Sequence, residues 1–372
     1  MKKNIVVIEG DGIGPEVTRQ AVKVLNAIAE CFHHSFEYRY CLMGAIAIDK
    51  TGNPLPDETI TLALESDAIL FGAIGHPKYD NDPSAKVRPE QGLLKLRKSL
   101  QLFANIRPVS TYPSLHHLSP LKSKNIEGVD FIIYRELTGG IYFGKKETSA
   151  DQTSASDECY YSRDEIERIA HLAFKQALQR RKKLTLVDKA NVLETSRLWR
   201  KVVQEIAKGY PDVSLDFLFV DNAAMQIIVN PKQFDVILTE NMFGDILSDE
   251  ASVISGSLGL LPSASVGKGP ALFEPIHGSY PQAAGKDIAN PLGSVLSAAM
   301  MLDHFELHKE AALVREAVEW TLINGFVTKD IDPVNFYFTT TIGELISDYL
   351  VGKISGSELN QENIALRKST II

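Results

Sequence analysis

Ile5-Val6-Val7-Ile8-Glu9-Gly10-Asp11-Gly12-Ile13-Gly14-Pro15-Glu16 is the stretch on which the fold turns. Residues 5–9 form a β-branched run, and over residues 16–29 apolar side chains recur at helical spacing, so the segment reads as strand, tight turn, helix. The glycines invite a Rossmann reading. That fingerprint, however, wants a third glycine where Pro15 stands and an acidic residue closing the second strand, where Tyr40 and Cys41 stand. A tight strand-to-helix turn beside a ligand cleft is the better reading.

The same rhythm continues outward. Residues 68–73 precede a helical pattern at 93–102, 184–187 precede 196–208, and 236–238 precede 243–254, which predicts an α/β fold with a largely parallel sheet. Residues 131–134 and 141–145 flank Thr138-Gly139-Gly140 and read as an antiparallel ribbon or arm, of the kind that contacts a second subunit. From Asn290 the pattern turns helical, at 295–305 and 311–323, and the stretch from Ser355 is polar enough to be a loosely packed tail.

A chain of 372 residues exceeds what one core usually serves, so two domains with a cleft are expected. With 39 basic and 47 acidic side chains the net charge is −8, the wrong sign for a nucleic-acid binder. Cys31, Cys41 and Cys159 show no C-x-x-C spacing, which fits a reducing cytoplasm rather than a disulfide framework. Glu9 and Asp11 cut the first apolar run too short for a signal peptide, and no run is long enough to cross a bilayer. His33-His34, His116-His117, His304 with His308, and the basic run at 180–183 read as solvated faces and a helix end complementing the macrodipole.

Three arginines end successive apolar elements: Arg97 one turn after Leu93-Leu94, Arg107 after residues 103–106, and Arg135 after 131–134. A guanidinium fork grips carboxylates bidentately, so the set points to a polyanionic acid, although Leu93 and Leu94 would also suit a core and Arg97 a solvated face. Asp245 and Asp249 stand i, i+4 on a predicted helix, where like charges repel unless a cation lies between them. All-oxygen ligands favour Mg²⁺ or Mn²⁺, and a water-exposed acidic face is the other reading. Asp221 is a candidate third ligand. Lys189 closes the 184–187 strand, either as a base of lowered pKa or as a snorkelling surface lysine. Glu274-Pro275-Ile276-His277-Gly278-Ser279, followed by Gly285 and Asn290-Pro291, makes a donor-rich loop suited to a nucleotide's phosphates and adenine.

Taken in order, G-D-G-I-G-P-E, R-P-E-x-G-L-L-x-L-R, R-E-L-T-G-G-I-Y-F-G, D-K-A-N-V-L, N-M-F-G-D-I-L-S-D and E-P-I-H-G-S…I-A-N-P resemble the β-decarboxylating dehydrogenases of 2-hydroxy acids, the isocitrate/isopropylmalate dehydrogenase family, over almost the whole chain. The resemblance is strongest to the branch that oxidises and decarboxylates 3-isopropylmalate on the route to leucine, with NAD and Mg²⁺ or Mn²⁺. It implies a two-domain fold, residues 1–104 with 256–372 as the cofactor domain and 105–255 as the substrate, metal and dimerisation domain, with a non-Rossmann NAD site and an arm at the dimer interface. It further implies that Leu93 and Leu94 meet the isopropyl group and that Arg97, Arg107 and Arg135 hold the carboxylates. Asp221, Asp245 and Asp249 would hold the metal, with Asp221 also near substrate, and Tyr142 and Lys189 would act as acid and base. Glu90, Glu274, His277, Gly278, Ser279, Gln282, Asn290 and Asp330 would surround NAD, Glu90 at its nicotinamide end. In such a homodimer Lys189 and Asp221 reach into the partner's cleft.

One position departs from the pattern. Gln282 stands where NAD-specific members place an aspartate for the ribose hydroxyls, so NAD preference over NADP is expected to persist with a narrower margin. Sister enzymes for isocitrate, homoisocitrate or tartrate are the alternative, disfavoured because an apolar Leu93-Leu94 pair would leave a third carboxylate unpartnered. A non-catalytic nucleotide- or metal-binding protein is disfavoured because every proposed catalytic position is filled.

Overall fold

The computed structural model describes residues 1–80 and 87–355. The chain divides into two compact units, one made of Met1–Gln101 with the chain from Ser257 onward, the other of Leu102–Gly256. The polar tail expected beyond Ser355 lies outside the described residues.

Among the described residues the strands are, in chain order, β1 (Lys2–Gly10), β2 (Ser35–Tyr40), β3 (Ala68–Ala73), β4 (Leu102–Ser110), β5 (Asp130–Glu136), β6 (Lys146–Thr148), β7 (Ala155–Asp157), β8 (Lys183–Asp188), β9 (Ser214–Phe219), β10 (Val236–Thr239), β11 (Pro262–Gly267) and β12 (Ala271–Pro275). In the first unit they are ordered β2-β1-β3-β12-β11, parallel except for the β11–β12 pair. β3 reads Ala-Ile-Leu-Phe-Gly-Ala and is buried at every position, the continuous apolar run that a parallel strand covered on both faces requires. β2, at the edge, is half exposed.

The second unit orders its strands β4-β5-β10-β8-β9, parallel except for β4 against β5. Its core gathers Phe131, Ile133, Val187, Phe234, Ile237, Ala223, Ile227, Leu247 and Ala251, so both the Val220–Val229 helix and the Asn241–Ser252 helix are seated by apolar faces. The predicted elements at 5–9, 68–73, 184–187 and 236–238 are strands, each followed by helix, and the helical patterns at 295–305 and 311–323 are the Leu292–His304 and His308–Ile323 helices.

Three expectations need correcting. Residues 131–134 belong to β5, inside the main sheet of their unit, because Phe131 and Ile133 are fully buried there. Residues 141–145 are not a strand: Gly140–Tyr142 is a 3₁₀ turn, and a Cβ on Gly140 (φ +73°) would lie 2.4 Å from the Tyr161 hydroxyl, so the chain must turn tightly there. The antiparallel arm is instead β6–β7, whose exposed polar residues carry no hydrophobic signal to read. Nor are all the expected solvated groups solvated. His34 lies 2.8 Å from the Glu310 carboxylate in a mostly buried pair, and Arg180 is held by Asp235 at 2.9 Å and Asp130 at 2.8 Å. No helix among the described residues is long and apolar enough to cross a membrane.

The opening turn works as a bracket. The buried Asp11 carboxylate accepts from the N–H groups of Ala45, Ile46 and Gly75 at 2.9–3.0 Å; burial pushes its pKa up against the pull of these bonds. Two residues on, the Ile13 N–H donates to the Ser279 carbonyl at 2.8 Å, and Ile13 and Val17 pack on Ala283 and Ala289. Gly12 is what lets the turn approach: φ is +58°, and a Cβ there would sit 2.0 Å from the Ser279 oxygen. Gly12→Ala should therefore cost at least about 1–2 kcal/mol from the left-handed backbone alone, with the displaced Ser279 carbonyl adding to it. Urea denaturation checks this; an unchanged midpoint would mean that the bracket is not needed for stability.

Candidate active site

In the second unit Arg135, Lys189 and the helix bearing Asp245 and Asp249 lie at or just after the carboxyl ends of neighbouring parallel strands, where open α/β sheets bind ligands, while Arg107 stands within antiparallel β4. Arg135 lies near the end of β5 beside Thr239 of β10, and the Asn241–Ser252 helix starts two residues after Thr239. That helix carries Asp245 and Asp249 on adjacent turns, as the spacing predicted. Arg135 Nη1 donates to Asp245 in a short ion pair, and the Tyr142 hydroxyl donates to the other Asp245 oxygen at 3.0 Å. Arg107, from β4, donates to Asp249 at 2.9 Å and to the Ser248 hydroxyl at 2.6 Å. Three of the expected groups thus meet at Asp245 and two at Asp249. Burial first, then the Asp245 carboxylate, pushes the Tyr142 phenol up from its ordinary value, so it stays protonated and able to donate.

Lys189 and Asp221 form a separate pair. Lys189 follows β8 and turns toward edge strand β9, where its ammonium donates to the exposed Asp221 carboxylate and holds that acid below its ordinary range. Asp221 stands in the first turn of the Val220–Val229 helix. Among the described residues no group of three or more His, Cys, Asp or Glu is arranged to hold a metal ion, so within one chain Asp221 does not join Asp245 and Asp249. The all-carboxylate donor set still has the hard-oxygen chemistry that Mg²⁺ or Mn²⁺ takes.

In the first unit the candidates also leave from strand ends. Glu274, near the end of β12, accepts from Arg97 Nη2 at 2.7 Å, a largely buried pair, while Arg97 Nε is buried with no hydrogen-bond partner. Leu94, on the Pro89–Ser99 helix with Arg97, is 48% exposed, so it is not committed to the core; Leu96 is. Gly75, after β3, lies where a Cβ would be 3.0 Å from the Glu90 carboxylate and 3.7 Å from the Ser279 hydroxyl, which brings Glu90 and Ser279 to one place. His277 Nδ1 is 3.0 Å from the Gly278 carbonyl. A carbonyl only accepts, so Nδ1 carries the proton, and Nε2, buried and unpartnered, is left as an acceptor; burial lowers the pKa and keeps the ring neutral. The Asn290 amide donates to Asp330 at 3.1 Å, and Ser257 holds the same carboxylate oxygen. Gln282 is exposed on a short 3₁₀ turn.

Compared with known proteins, residues 4–346 match the family described as isocitrate/isopropylmalate dehydrogenase. The chain belongs to that family. A 3-isopropylmalate dehydrogenase of Bacteroides fragilis is 54% identical over 94% of this chain and 99% of its own length, and one of Priestia megaterium is 56% identical over 91% and 93%. Among solved structures, an isocitrate dehydrogenase from Methylococcus capsulatus superposes with a TM-score of 0.84 at 34% identity, covering 94% of this chain and 99% of that one.

Four buried polar residues were given no role: Asp11, Glu136 and Asn241, which stand inside the quoted motifs, and Glu240, which directly precedes one, although Glu240-Asn241 directly after the apolar β10 was a usable signal. Glu240 is 5% exposed with Cys159 Sγ 3.9 Å away. Burial, then the Glu136 carboxylate, pushes Glu240 up to about 7 from an ordinary 4.5. Between those values the folded chain holds a proton that the unfolded chain has released, so this group makes stability fall as pH rises from about 4.5 and level off above about 7. Glu240→Gln removes that fall. Chemical denaturation at pH 5 and pH 8 should show the variant gaining on the wild type toward pH 8, by no more than about 3 kcal/mol. Parallel pH dependences would show that Glu240 ionises normally.

Proposed function

We propose that the protein is an NAD-dependent 3-isopropylmalate dehydrogenase of leucine biosynthesis, working as a homodimer with shared active sites. The observation that carries the substrate reading is Leu94 standing exposed one turn from Arg97, a guanidinium whose buried Nε lacks a partner: an apolar contact beside an anion grip fits a branched malate. Arg97, Arg107 and Arg135 hold its carboxylates, and Leu93 and Leu94 its isopropyl group. Relatives named for the same substrate support this over the isocitrate alternative, which would set a third carboxylate against leucine.

The His277 Nε2 acceptor suits the exocyclic amine of adenine, and Asp330 with Asn290 suits polar groups of the same half of NAD, with Gly278, Ser279, Gln282 and Glu274 around it and Glu90 toward the nicotinamide. Asp245 and Asp249, with Asp221 from a second copy, would hold Mg²⁺ or Mn²⁺. When bound, the cation would supply Lewis acidity at the substrate hydroxyl and NAD a hydride acceptor. Lys189, in its amine form, would take the hydroxyl proton, directly or through water. After CO₂ leaves, the Tyr142 phenol, kept protonated beside Asp245, returns a proton to the enol carbon.

The dimer is supported by what accompanies the carboxylates. Asp221, Met225 and Val229 share an exposed face of one helix, and Ile246, Asp249 and Val253 share an exposed face along its neighbour. Large apolar side chains around acids are expected where another chain covers them.

The experiment is turnover. The wild type with Mg²⁺ should reduce NAD on 3-isopropylmalate and act far less on isocitrate, and Leu93→Ser with Leu94→Asn should lower kcat/KM for isopropylmalate about 10- to 100-fold. Isocitrate as the better substrate of the wild type would overturn the assignment.

A further inference from the structure

We propose that Asn241 is a positioning residue whose one side-chain amide sets both the guanidinium plane of Arg135 and the turn that carries Tyr142. This rests on the reading above, in which Arg135 grips substrate and Tyr142 delivers a proton. Asn241 is the first residue of its helix and is buried. Its Oδ1 accepts from Arg135 Nε at 3.0 Å and from Nη2 at 2.8 Å, so one oxygen clamps one edge of the fork and rotation about the guanidinium's attachment would break both bonds. With that edge fixed, Nη1 is directed at Asp245. The other end of the amide, Nδ2, donates to the Gly139 carbonyl at 3.2 Å, immediately before the Gly140–Tyr142 turn.

The amide is itself braced. The Asn241 backbone N–H donates to the Tyr161 oxygen at 3.0 Å, and the Tyr161 ring packs edge-on against Trp199 at 5.4 Å. The same ring lies under the turn, where a Cβ on Gly139 would come within 2.6 Å of it. Gly244 completes the frame: a Cβ there would lie 2.6 Å from Arg135 Cγ, so the helix approaches the arginine stem as closely as a glycine permits. An acceptor on one side and a donor on the other is what a carboxamide provides. Aspartate of the same size lacks the donor, and leucine lacks both.

The test compares wild type, Asn241→Leu, Asn241→Asp and, as a control, Arg135→Ala. Each is assayed as the full Mg²⁺-loaded enzyme for kcat, for the KM values toward isopropylmalate and NAD, and for Tm. Losing the hydrogen bonds to the charged Arg135 should raise the isopropylmalate KM about 10- to 100-fold and lower kcat in Asn241→Leu. Asn241→Asp keeps the acceptor for Arg135 and loses only the donor to Gly139, so it should lower kcat about 3- to 10-fold with a smaller change in that KM. The NAD KM should stay within about twofold, because the groups assigned to NAD lie in the other unit and share no partner with Asn241. In folded variants, an isopropylmalate KM within about twofold of wild type for Asn241→Leu overturns the inference, and so does a kcat within about twofold of wild type for Asn241→Asp. So does a parallel rise of both KM values with a lowered Tm, which is the mark of general loosening. The kcat of Asn241→Asp decides the matter if the leucine variant does not fold. If Arg135→Ala leaves the isopropylmalate KM unchanged, or the wild type does not turn over, the site reading fails and takes the inference with it. If Arg135→Ala raises KM and Asn241→Leu does not, the inference alone fails.

Discussion

Two like charges one helical turn apart, Asp245 and Asp249, are the constraint around which the second unit is arranged. Exposed carboxylates at that spacing repel by a few tenths of a kcal/mol, which solvent and salt absorb. The larger quantity belongs to the arginines opposite them. Arg135 and Arg107 keep guanidiniums largely out of water, and a buried charge without a partner costs several kcal/mol. Each arginine is therefore answered by an aspartate, and Arg135 also by Asn241. In the proposed chemistry the partners exchange: the acids turn to a cation, the arginines to substrate carboxylates, and neither set is left buried and alone.

That arrangement is possible because the polar groups sit where strands end. A buried parallel strand cannot carry a charge in its middle, but its carboxyl end opens outward. β5 ends at Arg135-Glu136, β10 hands over to Glu240-Asn241, and β8 to Asp188-Lys189. The first unit repeats the pattern with Asp11 after β1, Gly75 after β3 and Glu274 near the end of β12. Close backbone approaches at Gly12 and Gly244 then let turn and helix come near enough for those ends to be bonded.

Much of this was legible in the sequence, for identifiable reasons. Continuous apolar runs such as residues 5–8 and 68–71 are buried on both faces and announce themselves, and the i, i+4 spacing of Asp245 and Asp249 fixes their common face once the helix is given. The arm was misplaced because β6 and β7 are short, polar and exposed, so no apolar period marks them. Asn241 went unread since a buried asparagine differs from a surface one only by its partners, here Arg135 and Gly139, which lie over a hundred positions away along the chain. The pairing of Lys189 with Asp221, and not with Tyr142, is likewise a matter of which strands are neighbours: β8 lies between β10 and β9, and the lysine leans to the β9 side.

Lys189 bonds to Asp221 and Tyr142 to Asp245 in separate pairs, and in the proposed reaction a second copy brings the acid and the base together. The direct measurement mixes two separately inactive proteins, Lys189→Ala and Asp245→Asn, under conditions that let subunits reassort. A shared site predicts that activity returns to about a quarter of wild type, since half of randomly paired dimers are mixed and each rebuilds one of its two sites. A mixture that contains mixed dimers by native mass spectrometry yet shows no more activity than its parents would contradict it.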